Sequence, residues 1–189
     1  MIRAAADVAD GSALAAEVVV VGAGPMGIVV GLELADAGHR VLLVESGGFK
    51  FDPAALDLSR HAGADPWHVP SELSVRRQLG GSSAVWGGRC VPFDPIDFEP
   101  RPAVPDALWP VAYDEMARYL GRACEWCRCG RPIFSALRLP ELADRSMIPG
   151  FRDGDVLTTS LYRYAPPRDS DASTANGWRG PNNSSSSSA

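Results

Sequence analysis

Val18–Glu45 reads VVVVGAGPMGIVVGLELADAGHRVLLVE, and the reading of this stretch decides the fold. Val18 to Val21 form an unbroken β-branched run, the pattern of a strand buried on both faces. Gly22, Gly24 and Gly27 follow at G-x-G-x-x-G spacing. The first glycine permits a tight turn, the second lets the backbone approach a pyrophosphate, and the third lets a helix pack closely on the strand. Pro25 and Met26 fall in the first helical turn, where the missing N–H of a proline costs nothing. Ile28, Leu32 and Ala35 recur at helical spacing, with Val29 and Leu34 widening the stripe, and Gly38 stops the helix. Val41 to Val44 then form a second apolar strand, which ends at Glu45.

This order of strand, glycine turn, helix, strand and acid is that of a dinucleotide-binding βαβ unit. Exposed N–H groups at the helix N-terminus favour a phosphate's negative charge. A carboxylate about twenty residues past the glycines can accept the ribose hydroxyls of an adenosine half. Ser46-Gly47-Gly48 follows Glu45 as a turn that frees the chain from the strand.

A second glycine-rich stretch is Ser74–Arg89, SVRRQLGGSSAVWGGR. Gly80-Gly81 followed by Ser82-Ser83 makes a backbone nest flanked by small hydroxyls, suited to an anion or cofactor. Gly87-Gly88, just after Trp86, repeats the close-approach device. Glycine loses more entropy on folding than any other residue, so such a stretch is expensive to order. It reads either as a ligand-facing loop or as a mobile glycine-serine connection.

Around these two stretches the chain is irregular. Phe49–Leu73 has no clean period and is expected to be a long excursion; His61 and His68 within it lack a metal spacing. Val91–Pro110 holds six prolines and reads as an extended segment anchored by Phe93, Ile96, Phe98 and Trp109. Tyr113–Trp126 predicts one helix whose buried face carries Tyr113, Met116, Leu120, Ala123 and Cys127. Ile133–Leu142 predicts a short helix, and Val156–Tyr164 a strand. Cys124, Cys127 and Cys129 form CxxCxC, but the local fourth ligand is absent and Cys90 is distant in sequence. Buried small hydrophobes are therefore the preferred reading, and no metal site is expected.

The 189 residues allow one domain or one with part of a second. A net charge of −5 argues against nucleic acid or an anionic membrane as the main partner. No apolar run is long enough for a membrane span. Met1–Ala16 lacks the apolar core of a secretory signal, so a cytoplasmic location is the default expectation. The expected organisation is a flexible tail over 1–16, an α/β domain over 17–167 and a disordered, serine-rich tail over 168–189.

The glycine turn, Glu45 with its Ser-Gly-Gly, and LGGSSAVWGG together resemble the glucose–methanol–choline (GMC) flavoprotein oxidoreductases, over roughly Val18 to Trp126. The resemblance implies a Rossmann-like, FAD-binding βαβ fold, here incomplete and interrupted by long excursions. It implies that Gly22, Gly24, Pro25, Met26, Gly27, Glu45 and Ser46 hold the ADP half of FAD. Gly80, Gly81, Ser82, Ser83, Trp86 and Gly87 would lie along the cofactor nearer the flavin. The substrate implied is a small alcohol or sugar. Trp86 stands where many members have asparagine, and resembles the pyranose-oxidase and gluconate-dehydrogenase branches. Pyranose oxidases attach FAD through a histidine just before that Trp; here the residue is Val85, so FAD is expected to be non-covalent.

Family members are more than twice as long, and their catalytic histidine motif lies in the C-terminal portion. None of His39, His61 and His68 matches it, so no catalytic residue is assigned, and the chain alone is expected to be inactive and truncated. Two other readings stand beside this one: an NAD-binding Rossmann dehydrogenase domain, and a non-catalytic nucleotide-binding chain.

Overall fold

The computed structural model describes residues 2–58, 67, 69–104, 108–142, 148, 150–151 and 157–166. The expected 168–189 tail, His61 and His68 lie outside them. Residues 2–16 are mostly exposed and carry one 3-10 turn, Ala5–Asp7. The chain divides into two compact units, Met1–Trp86 and Gly87–Pro167.

The first unit is built on β1 (Val18–Val21), α1 (Pro25–Asp36) and β2 (Val41–Val44). The two strands pair in parallel, Val18 with Val41 through Val21 with Val44. A parallel pair needs a crossover, and α1 supplies it. The result is a small mixed α/β unit, part of a Rossmann-like arrangement. α1 packs on one face of the sheet through its smallest residues. A Cβ on Gly27 would strike the Gly22 carbonyl, and one on Gly31 would meet Val41 at 3.9 Å. Ile28 and Gly31 are the buried positions of α1, whereas Ala35 is exposed, so the stripe fades toward the helix C-terminus.

The expectation that β1 is buried on both faces is not met. Its residues alternate between half-buried and exposed, with Val19 55% and Val21 84% exposed. A buried parallel strand needs cover on both sides. Among the described residues α1 covers one side, leaving Val19, Val21 and Val44 open on the pair.

The excursion after Glu45 is less irregular than its composition suggests. It contains α2 (Pro53–Asp57), whose N-terminus is capped by the Asp52 carboxylate accepting Ala54 N–H at 2.9 Å, and α3 (Ser71–Ser74). Leu56 of α2 is buried, which gives that short helix its anchor.

The second unit begins with β3 (Arg89–Cys90), which pairs antiparallel with β4 (Arg163–Tyr164). The proline-rich stretch turns through a 3-10 segment at Pro95–Phe98, and Asp97 accepts Asp94 N–H at 2.9 Å. Phe98 stands among three rings, 6.2 Å from Phe93, 5.8 Å from Trp109 and 5.6 Å from Tyr113. Ile96 is not an anchor: it is 67% exposed.

The single helix expected over Tyr113–Trp126 is two, α4 (Tyr113–Ala117) and α5 (Leu120–Cys127). Tyr119 takes φ −93° and ψ −4°, and its N–H goes to Met116 C=O, three residues back. That tighter bond closes α4 before α5 resumes. The break rotates the buried face, so Cys124 and Trp126 are buried and Ala123 is exposed.

The helix expected over Ile133–Leu142 is also replaced. Its backbone is spent on pairing: Ala136 N–H donates to Thr159 C=O at 2.8 Å, and Leu161 N–H to Phe134 C=O at 2.9 Å. Only a 3-10 turn, Ala136–Arg138, remains. The strand expected over Val156–Tyr164 reduces to β4 and a bridge between Ser160 and Ser135; Val156 lies outside the described residues.

Candidate functional site

The glycine turn between β1 and α1 is held in shape by its neighbours. Gly22 takes φ 98°, a left-handed value, and donates its N–H to Val44 C=O at 2.7 Å. Gly24 is the N-cap of α1, and its carbonyl accepts Ile28 N–H at 3.0 Å. Pro25 fills the first helical position without a donor to waste. Met26 and Gly27 N–H precede the first intrahelical bond, at the end of the helix where the dipole is positive. The Met26 side chain is 71% exposed.

Glu45, at the end of β2, reaches back to this turn. Its Oε2 accepts Ala23 N–H at 2.7 Å, and its Oε1 accepts Gly47 N–H at 2.9 Å and the Ser46 hydroxyl at 3.3 Å. One carboxylate thus ties the glycine turn to the Ser-Gly-Gly turn. A carboxylate offers about four lone-pair sites, so three of them are taken and acceptor capacity remains for a ligand hydroxyl.

The second glycine stretch lies against the first. Gly80 N–H donates to Ala23 C=O at 2.8 Å, and Leu79 N–H to Gly48 C=O at 2.9 Å. Ala23 therefore serves as a hub, with its N–H on Glu45 and its C=O on Gly80. Gly81 is buried, and a Cβ there would sit 3.1 Å from Gly24 Cα. Gly80 and Gly81 both take positive φ, 90° and 53°.

Both serine hydroxyls donate to carbonyls of the chain itself. Ser83 is buried and donates its hydroxyl to Gly80 C=O at 2.6 Å. Ser82 donates to Ser74 C=O at 3.2 Å. Both shape the loop. Trp86, 44% exposed, closes the first unit, and Gly87 opens the second. Ser46 receives a hydrogen bond from Arg77 Nη1 at 3.0 Å.

Three residues that sequence reasoning passed over belong to this cradle. Ala23 acts through its backbone, which leaves no mark on residue type. Arg77 reaches Ser46. Gly47 lies under the Arg77 carbonyl, which a Cβ would strike. The Ser-Gly-Gly after Glu45 was the available signal: it pointed to Ser46, while Arg77 is seen across from it only in the fold.

Gly24 stands apart from its fellow glycines. Its φ of −70° and ψ of 176° are open to any residue, and a Cβ there would meet nothing within 4 Å. The fold itself leaves room for a side chain at this position. His39 lies beyond the opposite end of α1 from the glycine turn and is exposed. It is not part of the cradle.

No protein-family model matches the chain. The chain is similar to the 2-methyl-1,2-propanediol dehydrogenase of Mycolicibacterium austroafricanum, at 27% identity over 129 residues. The match covers 54% of this chain and spans 22% of the length of that curated relative. No helix among the described residues is long and apolar enough to cross a membrane.

Proposed function

We propose that this chain is the FAD-binding portion of a GMC-type oxidoreductase acting on the CH–OH group of an alcohol or sugar, with FAD held non-covalently. The observation that carries the reading is the bond from Gly80 N–H to Ala23 C=O, which sets the second glycine stretch on the first glycine turn. A dinucleotide βαβ unit alone serves many enzymes; joined to a GGSS loop it resembles the GMC pattern. The diol dehydrogenase relative supports an alcohol as substrate.

The residues present suit an extended dinucleotide. Room at Gly24, with Met26 and Gly27 N–H beside it, suits a pyrophosphate. The acceptor capacity left on Glu45 suits a ribose hydroxyl. Bound there, FAD would accept the hydride removed from the substrate carbon. The chain's part in this reading is to bind and orient the ADP half; no residue is assigned as the base.

Purified protein carrying a yellow chromophore, released intact as FAD by heat or acid, is the expected result. Colourless protein that ignores FAD and answers NADH with quenched tryptophan emission would overturn the FAD reading in favour of an NAD-binding domain.

A further inference from the structure

The turn that follows β2 has a charged neighbour from farther along the chain. Arg77 comes from the start of the second glycine-rich stretch and lies in the same compact unit as Glu45. Its main chain fixes its place. The Arg77 carbonyl lies over Gly47, where a Cβ would strike it, and Leu79 N–H donates to Gly48 C=O at 2.9 Å. From this half-buried position Arg77 Nη1 donates to the Ser46 hydroxyl at 3.0 Å. The same hydroxyl lies 3.3 Å from Glu45 Oε1.

The chemistry of these three groups sets the direction of one proton. A guanidinium has donors and no acceptor, and an ionised carboxylate has acceptors and no donor. The hydroxyl between them therefore accepts from Arg77 and donates to Glu45. Oε1 then receives two donors, Ser46 O–H and Gly47 N–H, whereas Oε2 receives Ala23 N–H. With about two lone-pair sites on each oxygen, the acceptor position left open is on Oε2, the oxygen beside the glycine turn. Without Arg77 the hydroxyl is free to turn, and the carboxylate loses a donor that holds it still before a ligand arrives. Ordering in advance spares binding that entropic cost.

We propose that Arg77 is a positioning residue for the adenosine ribose: through the Ser46 hydroxyl it orients the Glu45 carboxylate so that Oε2 receives the ribose 2′-hydroxyl. The assignment rests on the role proposed above for Glu45 as the ribose acceptor. The action of Arg77 is indirect, carried by one hydroxyl.

ADP and 2′-deoxy-ADP, titrated by calorimetry into the full-length chain, read the ribose contact apart from the pyrophosphate. The parent should bind ADP at least about tenfold more tightly than 2′-deoxy-ADP. Arg77→Met should weaken ADP binding at least about fivefold and leave 2′-deoxy-ADP unchanged. Arg77→Lys, again a donor without an acceptor, should keep most of the preference. Ser46→Ala should match Arg77→Met, and the double variant should lose no more than either alone, because the two side chains act in series. Circular dichroism checks the fold of each variant. Equal weakening of both nucleotides by Arg77→Met would show a general loss of structure and overturn the proposal. A preference unchanged in Arg77→Met, or losses that add in the double variant, would overturn it too. Where Arg77→Met fails to fold, Ser46→Ala decides, since it truncates one exposed hydroxyl; the parent's preference intact in that variant sinks the idea. A parent that binds neither nucleotide, or binds both equally, removes the ribose role of Glu45 and this inference with it. A parent with the preference and indifferent variants removes the role of Arg77 alone.

Discussion

The Glu45 carboxylate accepts the Ala23 N–H at 2.7 Å across 22 residues of sequence. The acid at the end of β2 is therefore a structural member of the glycine turn before any ligand is considered. Its second oxygen holds Gly47 N–H in the same way. Glu45→Gln keeps the length but puts an NH2 donor where one of two N–H groups must be accepted. The expected cost is about 1–2 kcal/mol of stability, read by urea denaturation. An unchanged urea midpoint would mean that these two bonds do not hold the turns.

Gly24 and Gly27 separate fold from binding. Gly27→Ala drives a Cβ into the Gly22 carbonyl and should destabilise the first unit by about 3 kcal/mol. Gly24→Ala meets open space, and the lost preference for glycine at an N-cap is offset by a less flexible unfolded chain. Its stability should stay within about 0.5 kcal/mol of the parent, while FAD affinity should fall at least about tenfold. Calorimetry of both variants with FAD checks the pair; a Gly24→Ala protein with full affinity argues that no phosphate approaches there.

Much of the first unit is legible in the sequence, and little of the second. Val18–Val21, the glycine spacing and Val41–Val44 are local patterns, and the structure has each element where periodicity puts it. The length of α1 follows from Pro25 and Gly38 in the same way. What local pattern misses is competition for backbone groups. Ala136 is a good helix former, yet its N–H goes to Thr159, a partner more than twenty residues away that no window could weigh. The break at Tyr119 arises the same way, from one N–H choosing the third residue back. At the site, the glycines and Glu45 were visible as residue types, whereas Ala23 was not, because its part is played by the main chain.

Two desolvated thiols, Cys90 and Cys124, set a pH dependence of stability. Burial, followed by the neighbouring cysteines, pushes Cys90 and Cys124 from an ordinary 9.0 up to about 12. The folded state thus keeps protons that the unfolded chain releases above pH 9, and stability falls as pH rises from about 9 to about 12. Below that window these groups contribute no slope. Urea midpoints across pH 8–11 should decline in the parent and less so in Cys124→Ser. Alkylation of Cys90 and Cys124 by iodoacetamide at pH 8 should be slow, because the thiolate is the reactive form.

Phe98 is the centre of the aromatic group in the second unit. Phe98→Ala removes ring contacts with Phe93, Trp109 and Tyr113 at once. A loss of about 2–3 kcal/mol is expected, discounted from a fully buried ring because the group is partly exposed. Thermal unfolding monitored by tryptophan emission reads this loss, and a midpoint equal to the parent's would show the rings to be bystanders.

The uncovered valines of the β1–β2 pair govern how this molecule behaves in a test tube. Val19, Val21 and Val44 form an apolar strip on a sheet that, among the described residues, has two strands and unpaired outer edges, which is a template for sticking. What opposes it is colloidal: a net charge of −5 keeps copies apart through a repulsion that salt screens. The same salt that steadies many proteins should make this one cloud as concentration rises. Dilute, low-salt buffer is the condition in which the glycine cradle is best met singly.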